Sequence, residues 1–84
     1  MDLENATADK VFEAALKATF RRTNLGMTAA VSVDGYSYRV IVGDTYRAYT
    51  DYREGYGGTE PVYANATPEQ DQALRAAIAA QPAK

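Results

Sequence analysis

At 84 residues, with 46% apolar and 24% charged side chains and a net charge of −2, the chain has the size of one domain with a thin core and an ordinary globular composition. It contains neither cysteine nor histidine, which removes disulfides, thiolate nucleophiles, cysteine zinc sites and the commonest general acid–base and metal ligand. No apolar run approaches the roughly 20 residues of a membrane span, and the acidic start Met1-Asp2-Leu3-Glu4-Asn5 lacks an apolar signal core, so a soluble cytoplasmic domain with no membrane association is expected.

The first predicted element is a helix from about Ala8 to Thr23. Thr7 suits its N-cap and Asp9 its first turn, where the helix dipole favours a carboxylate. Phe12, Leu16 and Phe20 recur at helical spacing, with Val11, Ala15 and Ala18 widening the stripe. Glu13 and Lys17 form an i,i+4 pair on the other side. Arg21 and Arg22 complete the last turn, and Asn24-Leu25-Gly26 supplies a stop.

A hairpin follows. Met27–Val33 and Tyr36–Val42 flank Asp34-Gly35, a dipeptide suited to a type I′ turn. That turn pairs Val33 with Tyr36, Val31 with Tyr38, Ala29 with Val40 and Met27 with Val42. All eight share one face, the core side, because strand side chains alternate with period two. The other face reads Thr28, Ala30, Ser32, Ser37, Arg39 and Ile41 and is expected to be mostly solvated.

A third strand is predicted over Thr45–Arg53. A two-residue loop would put Arg47 and Asp51 on the core face. A three-residue loop, Gly43–Thr45, instead pairs Val42 with Tyr46 and Val40 with Ala48. The longer loop is preferred because burying charge is costly, although Thr45 fits a left-handed position poorly. Arg47, Tyr49, Asp51 and Arg53 then join Arg39 on the open face. Glu54–Glu60, with Gly55, Gly57 and Gly58, reads as a flexible loop around Tyr56. Pro61–Ala64 reads as a short edge strand with Pro61 at its start. The last helix opens at Pro68, with Thr67 as N-cap and Gln70 closing a capping box. Its apolar stripe is Leu74, Ala77 and Ile78; Pro82 marks its end, and Ala83 and Lys84 are expected to fray.

The order α-β-β-β-(β)-α predicts an α+β domain of two layers: an antiparallel sheet of three to four strands with both helices on its apolar face. Residues 1–13 carry Asp2, Glu4, Asp9 and Glu13 against Lys10, whereas residues 14–53 carry six basic and three acidic groups. The middle is therefore mildly basic between acidic flanks.

Catalytic equipment is sparse. Ser32 and Ser37 face each other without a base nearby, and Gly55-Tyr56-Gly57-Gly58 lacks the lysine of a phosphate loop. No enzymatic activity, cofactor or metal is expected. The unusual feature is that all seven tyrosines fall between positions 36 and 63. Tyr36, Tyr38 and Tyr46 are expected in the core. Tyr49 is expected on the open face among arginines, a pairing enriched at binding hot spots. The candidate partner-binding residues are Arg39, Arg47, Tyr49, Tyr52, Arg53 and Tyr56.

Helix-sheet-helix order resembles the double-stranded RNA-binding domain in outline. Where that family carries a lysine cluster this chain has Pro68-Glu69-Gln70-Asp71, which lacks the phosphate-contacting part. In size and content the chain resembles small phage or mobile-element inhibitors such as anti-CRISPR proteins. The expected function is therefore protein binding by a small inhibitor or adaptor that occludes its partner, which includes the components of a nucleic-acid-handling complex. The alternatives are single-stranded nucleic-acid binding on the Tyr/Arg face and a structural homodimer, with monomer or homodimer as the expected states.

Overall fold

The computed structural model describes residues 2–82, so the expected fraying of Ala83 and Lys84 lies outside it. The elements run α1 (Asn5–Ala15), β1 (Arg21–Thr23), β2 (Gly26–Val33), β3 (Tyr36–Val42), β4 (Tyr49–Gly55), β5 (Gly58–Asn65) and α2 (Pro68–Ala79). The strands form one antiparallel sheet in chain order, β1-β2-β3-β4-β5. Both helices pack on one face of it, giving the expected α+β arrangement with one strand more than the widest expected count.

The central hairpin forms as its turn dictates. Asp34 and Gly35 take φ of 51° and 85°, and all four predicted core-face pairs occur. Val31, Val33, Tyr38, Val40 and Val42 are buried against Val11, Phe12 and Ala15 of α1 and Leu74 of α2. The α2 capping box forms with Gln70 at N3 and Pro68 at N1. Thr67 Oγ1 accepts from the Gln70 N–H at 3.1 Å, and the Gln70 side chain accepts from the Thr67 N–H at 2.9 Å.

The first helix is shorter than its apolar stripe. It begins after Glu4, without a side-chain cap, and Thr7 lies inside it. Its end tightens into i→i−3 bonds, Leu16 to Glu13, Lys17 to Ala14 and Ala18 to Ala15, at 3.1–3.2 Å. The chain then leaves the helix axis, so Lys17 loses its helical position opposite Glu13. Phe20 still enters the core, 3% exposed, but from an extended segment; Leu16 is left half out at 39%. The Gln81 side-chain amide holds Phe20 there: the Phe20 N–H donates to Gln81 Oε1 and Gln81 Nε2 donates to the Phe20 carbonyl, both at 2.8 Å. Arg21 and Arg22 therefore belong to an edge strand. Asn24-Leu25 is a hairpin turn where a helix stop was predicted, closed at Gly26, whose φ is 120°. A Cβ at Gly26 would lie 2.7 Å from the Val42 carbonyl oxygen.

The third strand starts later than predicted. Gly43–Ala48 forms the connection, and Ile41 pairs with Tyr49 and Val40 with Thr50, in place of Val42 with Tyr46. Helix α2 builds this longer loop. Asp71 Oδ1 accepts from the Ala48 N–H at 2.8 Å and Asp71 Oδ2 from Arg75 Nε at 3.0 Å. Arg75 donates onward to the Gly43 carbonyl at 2.8 Å and the Tyr46 carbonyl at 2.7 Å. The Asp71 carboxyl is held below its ordinary value of 3.8, chiefly by its bond to Arg75, with burial opposing and the Ala48 N–H assisting.

Glu54–Glu60 is ordered as a hairpin and is not a loop. Tyr56-Gly57 is its two-residue turn, with φ of 51° and 84°. The strand predicted over Pro61–Ala64 extends to eight residues, and Pro61 lies within it, on the sheet edge where a missing N–H is tolerated.

Leu74 is fully buried between the layers, so Leu74→Ala is expected to cost about 3 kcal/mol, read as a lowered urea midpoint. The Asp71 carboxyl is depressed in the folded chain, so its stabilisation is whole above the ordinary carboxyl value and is lost as pH falls through the lowered one. Melting curves of the natural chain and Asp71→Asn are expected to differ most at neutral pH and to converge as the pH falls through the lowered Asp71 value.

Candidate functional site

The face opposite the helices is set by a bulge in β4. Val40 pairs with Thr50 and Tyr38 with Arg53, so β4 carries one residue more than β3 between these pairs. Asp51 and Tyr52 therefore both meet Arg39, and the alternation inverts beyond them. Tyr49, Asp51 and Tyr52 take the open face with Arg39. Arg53, expected there, goes to the helix side opposite Tyr38. The Thr50 hydroxyl, fully buried, donates to the Arg39 carbonyl at 2.7 Å.

Arg39 is held on three sides. Its Nε donates to Asp51 Oδ1 at 2.9 Å, Nη2 donates to Asp51 Oδ2, and its guanidinium carbon lies 4.5 Å from the Tyr52 ring centroid. The Asp51 hydrogen bonds raise the Arg39 pKa further above its already high value. A guanidinium fixed in this way is a shaped surface feature with its charge already matched.

Tyr46 is not in the core. Its ring covers Gly43 on the open face, its hydroxyl donates to the Leu25 carbonyl at 2.6 Å, and it is 44% exposed. Its centroid lies 5.8 Å from that of Tyr49. Ile41, expected in solvent, is fully buried on this side and stands directly opposite Tyr49. Burial, with Tyr46 next, pushes the Tyr49 hydroxyl pKa up, so Tyr49 stays a neutral donor. Tyr63, half exposed, extends the aromatic rank to the β5 edge. Beside the rank, toward β1, lies a hollow of about 340 Å³ lined by Arg21, Thr28, Ala30, Ser37, Arg39, Tyr52 and Glu54 among others.

The remaining candidates lie elsewhere. Arg47 is exposed in the Gly43–Ala48 loop and makes no ion pair among the described residues. Arg53 donates to Tyr38 Oη at 3.0 Å and to Glu60 Oε2 at 2.9 and 3.1 Å, with its guanidinium carbon 3.9 Å from the Tyr36 centroid. Its pKa is raised, first by the bond to Tyr38. No helix reaches β4, so this cluster closes the end of the core that the helices leave uncovered. Tyr56 sits at the hairpin tip, 81% exposed, its ring edge-on to Tyr36 at 5.0 Å. Thus Arg39, Tyr49 and Tyr52 come together, while Arg47, Arg53 and Tyr56 stand apart. Tyr46 and Tyr63 are the members of the face that sequence reasoning missed; Ile41 was placed on it but expected in solvent, and it is buried. Tyr63 had a signal, its odd parity in a β-prone run; Tyr46 had none, because loop geometry places it.

Arg53→Ala is expected to lower stability by about 1–2 kcal/mol through loss of its charged hydrogen bonds, whereas Arg47→Ala stays within about 0.5 kcal/mol of the natural chain. Chemical denaturation of both variants separates a core-closing arginine from a solvated one. No helix among the described residues is long and apolar enough to cross a membrane. In comparisons with known protein families, with curated proteins and with solved structures, nothing matches this chain.

Proposed function

We propose that the chain is a non-enzymatic protein-binding domain, a small inhibitor or adaptor that acts by steric occlusion through its open sheet face. The observation that carries this reading is the rank Tyr46, Tyr49 and Tyr52 beside an arginine already neutralised by Asp51, on the side free of both helices. Tyrosines offer large, rigid, amphipathic contact area at low entropic cost. A face of matched charges suits a folded protein surface better than a phosphate backbone. On size and content the type is that of small phage or mobile-element inhibitors such as anti-CRISPR proteins, and the absence of cysteine and histidine fits a chain that works by binding alone.

Single-stranded nucleic acid is the second reading, favoured by the Arg39–Tyr52 stack. It requires cations free to displace counterions. Arg39 is already bound to Asp51, which leaves Arg21 as the one cation on this face without an ion pair among the described residues.

The test is capture from native-host lysate on the immobilised chain, with mass spectrometry of what is retained, repeated with Tyr49→Ala. A specific protein retained by the natural chain and weakened about 30-fold by Tyr49→Ala, the size of a hot-spot loss near 2 kcal/mol, is the expected result. Recovery of nucleic acid alone, or capture that Tyr49→Ala leaves unchanged, overturns the proposal. A parallel titration with single-stranded DNA at low and high salt is expected to show no tight binding.

A further inference from the structure

Three edges of the sheet are open to comparison, and two are blocked. In β5 the two-residue turn makes Gly55–Gly58 a hydrogen-bonded pair, so Thr59, Pro61 and Tyr63 direct their backbone outward. Pro61 has no N–H to offer, and the Tyr63 carbonyl already accepts from the Leu3 N–H at 2.9 Å. At the β1 edge, Phe20, just before the strand, has both its backbone groups taken by the Gln81 amide, which leaves Arg22 as the one residue of β1 with outward backbone groups. Such devices prevent strand addition.

The third edge is bare. Strand β1 pairs with β2 only from Gly26 to Thr28. Beyond it, Val33–Tyr36, Val31–Tyr38 and Ala29–Val40 are the hydrogen-bonded pairs with β3, as the two-residue turn requires. Ala30 and Ser32 must then direct their N–H and C=O groups away from β3. Both residues are exposed, and no hydrogen bond among the described residues reaches these four groups.

We propose that this half-edge of β2 is a strand-addition site that binds a short extended segment of the protein partner, carrying an acidic side chain on the open-face side. The inference rests on the protein-binding reading above and deepens it. Alternating N–H and C=O groups at strand spacing are matched by an extended polypeptide. Incoming residues opposite Ala30 and Ser32 point to the open face, where these small side chains leave room. They reach the hollow that Arg21, Arg39 and Glu54 line with charge. Arg39 is matched by Asp51, which is outside that lining, and Arg21 makes no ion pair among the described residues. With Arg39 matched in this way, Arg21 is the cation of the hollow left to bind a guest, so a carboxylate is the complementary group.

A second copy of the chain fits less well. Antiparallel pairing that satisfies all four groups on both chains sets Ala30 opposite the second copy's Ser32. Continued by two residues, that register puts the second copy's Asp34 opposite Thr28, a place Arg21 already holds.

The test follows backbone amides of the ¹⁵N-labelled full chain by NMR hydrogen exchange. In dilute solution the Ala30 and Ser32 amides are expected to exchange at least about tenfold faster than Val31, whose N–H is bonded to β3. The probe is a blocked six-residue peptide alternating threonine and glutamate, at millimolar concentration. It is expected to slow and shift the Ala30 and Ser32 amides, while its backbone N-methylated form and a threonine–lysine peptide do not. Tyr49→Ala is expected to leave these effects intact, so failure at this edge is distinguishable from failure of the face. The proposal is overturned if both amides are already protected in the dilute chain, if protection grows with protein concentration alone, or if the acidic and basic peptides act alike.

Discussion

The carboxylate of Asp71 and the guanidinium of Arg75 together hold the Gly43–Ala48 loop, and the start of β4 depends on that grip. Three bonds converge there from one turn of α2. They fix the Ala48 N–H and two loop carbonyls that have no ladder partners. Ala48 is buried, and its own carbonyl accepts from the Ala66 N–H at 2.8 Å, just ahead of the α2 cap. The chain therefore enters β4 with Tyr49 set opposite Ile41. The open face is thus positioned by a helix on the other side of the sheet. Thr67 and Gln70 matter to it indirectly, because they fix where α2 begins and hence where Asp71 stands.

The second constraint is the extra residue at Asp51–Tyr52. It turns a period-two strand into two half-strands of opposite parity. One half supplies Tyr49 and Asp51 to the open face. The other sends Arg53 to the helix side, where it lies over Tyr36, binds Tyr38 and pairs with Glu60. The same five-residue stretch therefore builds a binding face and closes a core. No ionised side chain is left stranded by either task, since each arginine meets its own carboxylate.

Much of this was legible in the residues. Asp34-Gly35 specified the central register, and Thr67, Pro68 and Gln70 specified the start of α2, because both signals act through bonds between near neighbours. The core side of β2 and β3 followed by alternation. Other features turn on contacts between distant residues. Helical spacing continues through Phe20, but the Gln81 amide and pairing with β2 claim that segment, and its Thr19, Phe20 and Thr23 are in hindsight β-prone. The β4–β5 hairpin was hidden because Tyr56 stands where asparagine, aspartate or glycine is usual. Its φ of 51° is accommodated by the ring lying against Tyr36 and reaching the Asp34-Gly35 turn. Of the proposed site, Arg39, Tyr49 and Tyr52 were legible. Tyr49 came out right because Ala48 and Thr50 share a parity, although the predicted pairing was displaced by two residues. Arg53 was misplaced by a bulge that no local residue announces.

Strand order equal to chain order has a consequence for how the molecule is made. Three of the four strand connections have two residues, and the fourth, Gly43–Ala48, has six. Closing such short loops costs little entropy, so the sheet is assembled from local events of the kind that favour rapid folding. The contacts with the largest sequence separations join the two ends of the chain, Gln81 with Phe20, Gln70 with Asp9 and Tyr63 with Leu3, and those of α2 with the β3–β4 loop come next. A growing chain can thus pair β1 through β3 before α2 has been synthesised, yet β4 gains its fixed register only when Asp71 and Arg75 arrive. The last helix acts as a latch, and the face on the far side of the sheet takes its final form when that latch closes.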